Sequence, residues 1–142
     1  MKKIDFHHHV KDRLSYACAV VKTVRERGLT VALWSTDKAR LSIVDNYLWE
    51  LDPYRFLPHA FVGSPEAASS PILLAEDLEQ LNGQVLILLD DQLPPAWEKE
   101  FDRFERIVDI VGLDANEVEA SRLRWTAYKA AGVELEAYNR ES

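Results

Sequence analysis

The chain contains 142 residues with a mass of 16.3 kDa, enough for one domain with a sizeable core. Its formal net charge of −7 disfavours direct, tight binding to the phosphate backbone of DNA or RNA. The sequence has no apolar run near the length of about 18 residues that a membrane span needs, and no signal-peptide pattern. We therefore expect a cytoplasmic protein without a membrane partner.

Apolar periodicity predicts alternating strands and helices along the whole chain. Strands are predicted over 3–10, 30–34, 72–76, 85–89 and 106–111. Helices are predicted from the N-cap Asp12 to Gly28 and over 37–51, 96–104 and 114–131. Residues 133–142 should form a strand or a loose tail. This order predicts one three-layer α/β/α domain over residues 1–142 with a mainly parallel sheet.

The last predicted helix combines a small-residue stripe with a basic and aromatic stripe. The stripe expected to face the sheet consists of Ala120, Leu123, Ala127 and Ala130. The stripe expected to face water consists of Val118, Arg122, Trp125 and Lys129. Residues 121–132 carry three basic side chains and no acidic one, so the rest of the chain carries −10. Such a positive patch fits an acidic peptide that contains an aromatic residue, or a terminal carboxylate.

A simpler interpretation of the same helix also accounts for its residues. Trp125 could fold back into the core, and the basic residues could form an ordinary solvated face. In that case the helix would have no partner.

The first predicted strand carries a pattern that resembles a metal site. Asp5, His7 and His9 alternate, and alternate residues of a strand point the same way, so His7 and His9 could share a metal ion. A small metal-dependent hydrolase is therefore an alternative function. Against it, only one further histidine, His59, lies outside the His7–His9 run, and the chain is too short for the barrel that usually supplies the remaining ligands.

Other catalytic patterns are weak. Asp90 and Asp91 follow a buried strand, where α/β enzymes often place acids, but two prolines follow closely and favour a turn. The five glycines do not form a phosphate-binding motif, so no nucleotide cofactor is expected. Cys18 lies on the apolar stripe of the first helix and should be a buried thiol.

A second aromatic group follows the second predicted helix. Trp49 lies off the apolar stripe of that helix, and Tyr54 and Phe56 come soon after it. These residues form either a small aromatic core under a loop or a hydrophobic docking surface for a protein partner.

Five segments together resemble the chi subunit of bacterial DNA polymerase III, a clamp-loader accessory protein. The segments are IDFHHHV, LWELDPYRFLPHAF, VLILLD, RIVDIV and SRLRWTAYKAAG. The last one is similar to the family pattern R-x-R-Y-K-x-Y-R-x-x-G. The order and spacing of the segments, more than any one of them, carry the resemblance over nearly the whole chain.

The resemblance implies a single chi-like domain with a Rossmann-like fold that lacks a nucleotide-binding loop and needs no cofactor. It implies a non-catalytic adaptor that links the clamp loader, through a psi subunit, to the acidic C-terminal tail of single-stranded-DNA-binding protein. A helicase is a further candidate partner for the psi surface. The implied tail-binding residues are Arg122, Trp125, Lys129, Arg124, Tyr128, Val118 and Val111. The implied psi-binding residues are Trp49, Phe56 and Pro58.

The final helix departs from the family pattern at three positions. Thr126 stands where the family often has lysine, and Trp125 and Lys129 replace tyrosine and arginine. These changes imply a weaker or shifted tail site.

Overall fold

The fold is built from seven strands and four α-helices within residues 3–51 and 57–141, the part of the chain that the computed structural model describes. The strands are β1 (Ile4–His8), β2 (Val31–Trp34), β3 (His59–Phe61), β4 (Ile72–Ala75), β5 (Val85–Leu88), β6 (Arg106–Ile110) and β7 (Leu135–Asn139). The helices are α1 (Arg13–Glu26), α2 (Lys38–Leu51), α3 (Trp97–Phe101) and α4 (Ala115–Ala130). Short 3-10 turns lie at Ala67–Ser69 and Leu78–Gln80.

The strands form one parallel sheet in the order β3-β4-β2-β5-β6-β1-β7. Strands β2 and β5 lie at the centre and are buried throughout, as their continuous apolar sequences predicted. The segment 133–142 contributes β7, which pairs with β1 and ends the sheet. The predicted α/β fold with a mainly parallel sheet is therefore confirmed.

Helices cover both faces of the sheet and divide the core into two parts. One part packs α1 and α2 against one face, through residues such as Cys18, Val21 and Val44. The other packs α3 and α4 against the opposite face, through residues such as Phe101 and Tyr128. These two cores produce the predicted three layers.

Aspartate side chains cap the N-termini of helices on both faces of the sheet. Asp12 Oδ1 accepts a hydrogen bond from the Ser15 amide at 3.1 Å, as predicted for the start of α1. At α4, Asp114 Oδ1 accepts from the amides of Asn116 and Glu117 at 2.9 and 3.2 Å. The caps fix where each helix leaves the sheet edge, and so they place the side chains of α4 considered below.

The prediction of which side of α4 faces the sheet was wrong. Its buried residues are Ser121, Arg124 and Tyr128, whereas Leu123 is 72% exposed and Ala130 is also exposed. The helix is rotated by about a third of a turn from the predicted orientation. The reason is electrostatic, because a buried carboxylate on β6 holds the polar side of α4 against the sheet.

Candidate functional site

The basic and aromatic stripe of α4 lies at the border between the helix and the sheet. We call Val118, Arg122, Trp125 and Lys129 the α4 patch. Val118 and Trp125 are half-buried against the core, and Trp125 packs edge-on against Phe6 of β1 with ring centroids 5.0 Å apart. Lys129 Nζ lies 5.4 Å from the Trp125 ring centroid, on the solvent side. Trp125 is therefore held in place while part of its surface remains open to solvent.

Both cations of the α4 patch are accessible to a partner. Arg122 and Lys129 are exposed. Arg122 Nη1 lies 3.5 Å from a Glu119 carboxylate oxygen, but both side chains are 73% exposed, so this ion pair contributes little. The patch thus offers two exposed cations on either side of a fixed indole. Such an arrangement can bind a carboxylate that is attached to an aromatic or apolar group.

Arg124 and Tyr128 do not lie on this surface, although the resemblance placed them in the tail site. Arg124 is 3% exposed and forms two bonds with Asp109 of β6, at 2.9 Å from Nε and 2.8 Å from Nη2. Tyr128 Oη donates to the same carboxylate at 2.7 Å. Burial and Asp109 raise the pKa of Tyr128, while Asp109 raises the pKa of Arg124 despite its burial. Val111, directly after β6, is likewise buried.

A network of ion pairs fills the carboxyl edge of the central strands, where open α/β sheets usually bind ligands. The buried Arg13 donates to Asp91 at 2.9 Å, and Arg40 donates to both oxygens of Asp91, at 3.2 and 3.0 Å. Burial would raise the pKa of Asp91, but the hydrogen bonds from Arg40 and Arg13 lower it overall. Asp90 accepts from the Thr36 amide and hydroxyl, both at 2.7 Å. Both aspartates are thus held by structural contacts, in accordance with the turn that was favoured for them.

The sequence did not predict the buried pair of Arg124 and Asp109, although it contains one signal for it. Asp109 interrupts the apolar strand β6, and a carboxylate at a central position of a buried strand needs a buried cation. Two arginines at helical positions, Arg13 and Arg124, were available for that role. Sequence spacing alone does not say which of them reaches Asp109.

The second aromatic surface lies on α2 and β3. Trp49 is 54% exposed and packs against His59 with ring centroids 4.4 Å apart. His59 Nε2 lies 2.8 Å from Asp45 Oδ1, and Pro58 beside it is exposed. We call Trp49, Pro58 and His59 the α2 patch. Phe56 and Tyr54 lie outside the described residues, so their predicted part in this surface stays a prediction.

The described contacts separate the histidines of the suggested metal site. His7 Nδ1 lies 2.7 Å from the Tyr16 hydroxyl, and the His7 ring stacks on Tyr138. His9 follows the end of β1 with a φ of 59°, and its contact is with His8, Nδ1 to Nδ1 at 2.6 Å. Within residues 3–51 and 57–141, no group of three or more His, Cys, Asp and Glu side chains could hold a metal ion.

No helix in the described part of the chain combines the length and the apolar character needed to cross a bilayer.

Solved structures with the same fold come from proteins of different sequence. The C-terminal domain of the DEAD-box protein Dbp5 matches with a TM-score of 0.69 and 10% identity, covering 100% of this chain and 92% of that one. The C-terminal part of the Fun30 ATPase domain matches with a TM-score of 0.56 and 18% identity, covering 76% of this chain. This chain spans 43% of the Fun30 structure. At these identities the likeness concerns the fold alone.

Sequence comparisons identify the family. The DNA polymerase III subunit chi of Pseudomonas aeruginosa is 25% identical over 124 residues, which are 87% of this chain and 84% of that protein. The family model described as "DNA polymerase III chi subunit, HolC" matches residues 1–136. The match includes all five segments that carry the resemblance, among them β1, β5, β6 and the whole of α4. The chain therefore belongs to the DNA polymerase III chi subunit family.

Proposed function

We propose that this chi subunit uses the α4 patch to bind the acidic C-terminal tail of single-stranded-DNA-binding protein. Chi is an accessory subunit of DNA polymerase III that acts in DNA replication, and it is not the catalytic subunit. The observation that carries the proposal is the fixed Trp125 between two exposed cations, Arg122 and Lys129. A chain of net charge −7 repels an acidic peptide over most of its surface, and the two cations of this patch provide a local attraction.

Binding would proceed through electrostatic capture followed by apolar anchoring. Arg122 and Lys129 attract the acidic residues and the terminal carboxylate of the tail. The last aromatic residue of the tail packs against the open surface of Trp125 and against Val118. Because Phe6 already holds the indole, little side-chain freedom is lost on binding. The contact is small, so affinity should be modest and should weaken with salt.

Fluorescence anisotropy with a labelled tail peptide tests the proposal. The titration is made at low and high salt, beside a peptide that lacks its terminal Pro-Phe. Saturable binding that needs these two residues and weakens with salt supports the site.

Arg122→Ala and Lys129→Ala should each weaken binding by about 1–3 kcal/mol, as expected for loss of a charge-assisted bond. Lys38→Ala, which removes an exposed cation at the start of α2, is the matched control and should bind as the unmodified protein does. Equal binding by Arg122→Ala and the unmodified protein at both salt concentrations would refute the site.

We further propose that the α2 patch binds a psi-type subunit and so connects the chain to the clamp loader. Its support is an indole that is 54% exposed yet held against His59, beside the exposed Pro58. An indole that is preorganised and open is a typical anchor of a protein interface. Phe56, which the family resemblance adds to this surface, is part of the proposal, and a helicase is a further candidate partner for it.

Co-purification with a psi-type partner tests the second surface. Trp49→Ala and Phe56→Ala should each abolish pairing, while the midpoint of thermal unfolding changes little for Trp49→Ala because its side chain is half exposed. Tyr47→Ala, on another side of α2, is the control. Pairing that survives both changes would count against the surface. In this adaptor function the chain needs no catalytic site of its own, and the hydrolase alternative at Asp5, His7 and His9 has no support in the described contacts.

A further inference from the structure

A groove of about 420 Å³ lies on the face of the sheet opposite the α4 patch. It runs between α1 and the end of the sheet formed by β6, β1 and β7, which α1 does not cover. The volume is within the range of small-molecule sites, about 300–1,000 Å³. The residues that line it are Asp5, His7, Tyr16, Ala19, Val20, Thr23, Val24, Arg27, Leu29, Val85, Arg106, Val108, Tyr138 and Arg140.

The groove is positively charged although the protein is acidic. Three arginines, Arg27, Arg106 and Arg140, and one carboxylate, Asp5, line it, which gives a net charge of +2 with a neutral histidine. Among the described residues, Arg27 makes no ion pair or side-chain hydrogen bond, and only Nη2 of Arg106 is engaged, at 2.8 Å from Asp5 Oδ2. Most of the hydrogen-bond donors of these guanidinium groups are therefore available to a ligand.

His7 does not add to this charge. Burial and the neighbouring Arg140 lower the pKa of His7, so its imidazole is neutral at pH 7. Its Nδ1 lies 2.7 Å from the Tyr16 hydroxyl and 3.4 Å from Arg140 Nε, and since Arg140 can only donate, Nδ1 is the acceptor. Tyr138 stacks on the same ring at a centroid distance of 4.8 Å. These contacts hold one wall of the groove in place.

The opposite wall and the floor are apolar. Val20, Val24 and Leu29 come from α1 and the residues after it, and Val85 and Val108 come from the sheet. A ligand that fills the groove must therefore combine an apolar or flat body with a negative group. Guanidinium groups suit both parts, because they bind carboxylate or phosphate through paired donors and stack on flat aromatic rings.

We propose that this groove binds a small organic anion with a flat aromatic body, of the class and size of a nucleoside monophosphate. The phosphate would be bound at the amino edge of the strands, where Arg27 follows α1 and Arg106 begins β6. Arg140 lies at the opposite end of the groove beside His7, where its guanidinium would stack on the base. The base would lie against the valines of α1 and the sheet. The groove shares no residue with the α4 patch or the α2 patch. Binding of the small anion can therefore be tested separately from the proposed adaptor function.

Nuclear magnetic resonance titration of the whole chain with AMP tests the site, with amide shifts followed at Val20 and Tyr138. Adenosine and inorganic phosphate serve as probes that each carry one half of the ligand. Saturable shifts around the groove with AMP, and much weaker ones with either half, support the proposal. No shifts with AMP, shifts confined to α4, or equal binding of inorganic phosphate or adenosine alone would overturn it.

Variants assign the binding to the groove. Arg27→Gln should weaken AMP binding by about ten-fold, in line with loss of a charge-assisted hydrogen bond to the phosphate. Arg140→Gln removes the guanidinium that stacks on the base and should weaken binding several-fold. Both side chains are exposed, so the variants should keep the unfolding temperature of the unmodified protein. Lys22→Gln removes a cation from α1 outside the groove, and Lys129→Ala removes one from the α4 patch; both should bind AMP normally. Weakening by Lys22→Gln or Lys129→Ala that equals that of Arg27→Gln would overturn the assignment.

Discussion

Arg124 of α4 and Asp109 of β6 form a buried ion pair, with Nε and Nη2 at 2.9 and 2.8 Å from the two carboxylate oxygens. The pair turns the polar side of α4 towards the sheet and leaves Arg122 and Lys129 at its border with solvent. Arg124 also donates to the Asp91 carbonyl at 2.7 Å, which joins α4 to the turn after β5. One basic residue of the motif is thus structural, and two remain available for a partner.

Stability measurements should separate these two classes of basic residue. Arg124→Met leaves Asp109 as a buried charge without its partner, so we expect the free energy of unfolding to fall by about 3–5 kcal/mol. Arg122→Met, at an exposed position, should change it by no more than about 0.5 kcal/mol. Urea denaturation of the two variants gives the comparison. Similar losses for both would contradict the division.

The sequence predicted most of the fold because its apolar patterns carry the necessary information. The continuous apolar run of β5 fits a strand that is covered by helices on both faces. The helical apolar stripe of α1 fits a helix that packs on one face of such a sheet. The predicted orientation of α4 was wrong because the prediction assumed that the small apolar residues of this helix face the core. That assumption fails when a buried acid such as Asp109 gives polar residues a stronger reason to turn inward.

The site was predictable in part for a related reason. Helical spacing alone predicted that Arg122, Trp125 and Lys129 share one side of α4, and Lys129 Nζ lies 5.4 Å from the Trp125 ring centroid. That this side binds a partner stays a prediction. The support of Trp125 by Phe6 depends on two elements about 120 residues apart in the chain, and neither residue type indicates the pairing. The groove beside α1 is still harder to predict from the sequence. It forms because β7 extends the sheet past the part that α1 covers.

Cys18 should react slowly with thiol reagents in the folded protein. The side chain is buried, and burial, with a smaller contribution from Asp12, raises the pKa of the thiol to about 12. At pH 8 the thiolate fraction is then lower than that of a free cysteine by about three orders of magnitude. Labelling followed by absorbance should be slow in native buffer and fast in denaturant. Rapid labelling without denaturant would show that the helix pair α1–α2 opens readily.

The stability of the protein should decrease as the pH falls below about 6.5, the ordinary pKa of histidine. Burial and Arg140 lower the pKa of His7 in the folded protein, so between the two values the unfolded chain binds the proton more readily. The contribution of His7 is complete above the unfolded pKa and is lost as the pH falls towards the folded one. His7→Phe keeps a ring against Tyr138 but cannot titrate, so its unfolding free energy should depend less on pH in this window. His8, whose pKa burial and His9 also lower, remains in both proteins and leaves a residual slope. Identical pH profiles for the two proteins would contradict this role of His7.

Phe6 should affect tail binding although it lies on β1 and outside α4. Its edge-on contact with Trp125, at 5.0 Å between centroids, is worth about 0.5–1.5 kcal/mol and restrains the indole. Phe6→Leu keeps an apolar core but removes this restraint, so tail-peptide affinity should fall several-fold while remaining above that of Trp125→Ala.

The chain offers a matched control for that experiment. Phe101 makes a similar edge-on contact with Trp97, at 5.5 Å, in the same layer but away from the α4 patch. Phe101→Leu should therefore reduce stability by a similar amount and leave tail affinity unchanged. Anisotropy titrations and urea denaturation on both variants separate the two effects. If Phe101→Leu weakens tail binding as much as Phe6→Leu does, general loosening of the core explains the loss. If only Phe6→Leu does, the preorganisation of Trp125 is what the tail site requires.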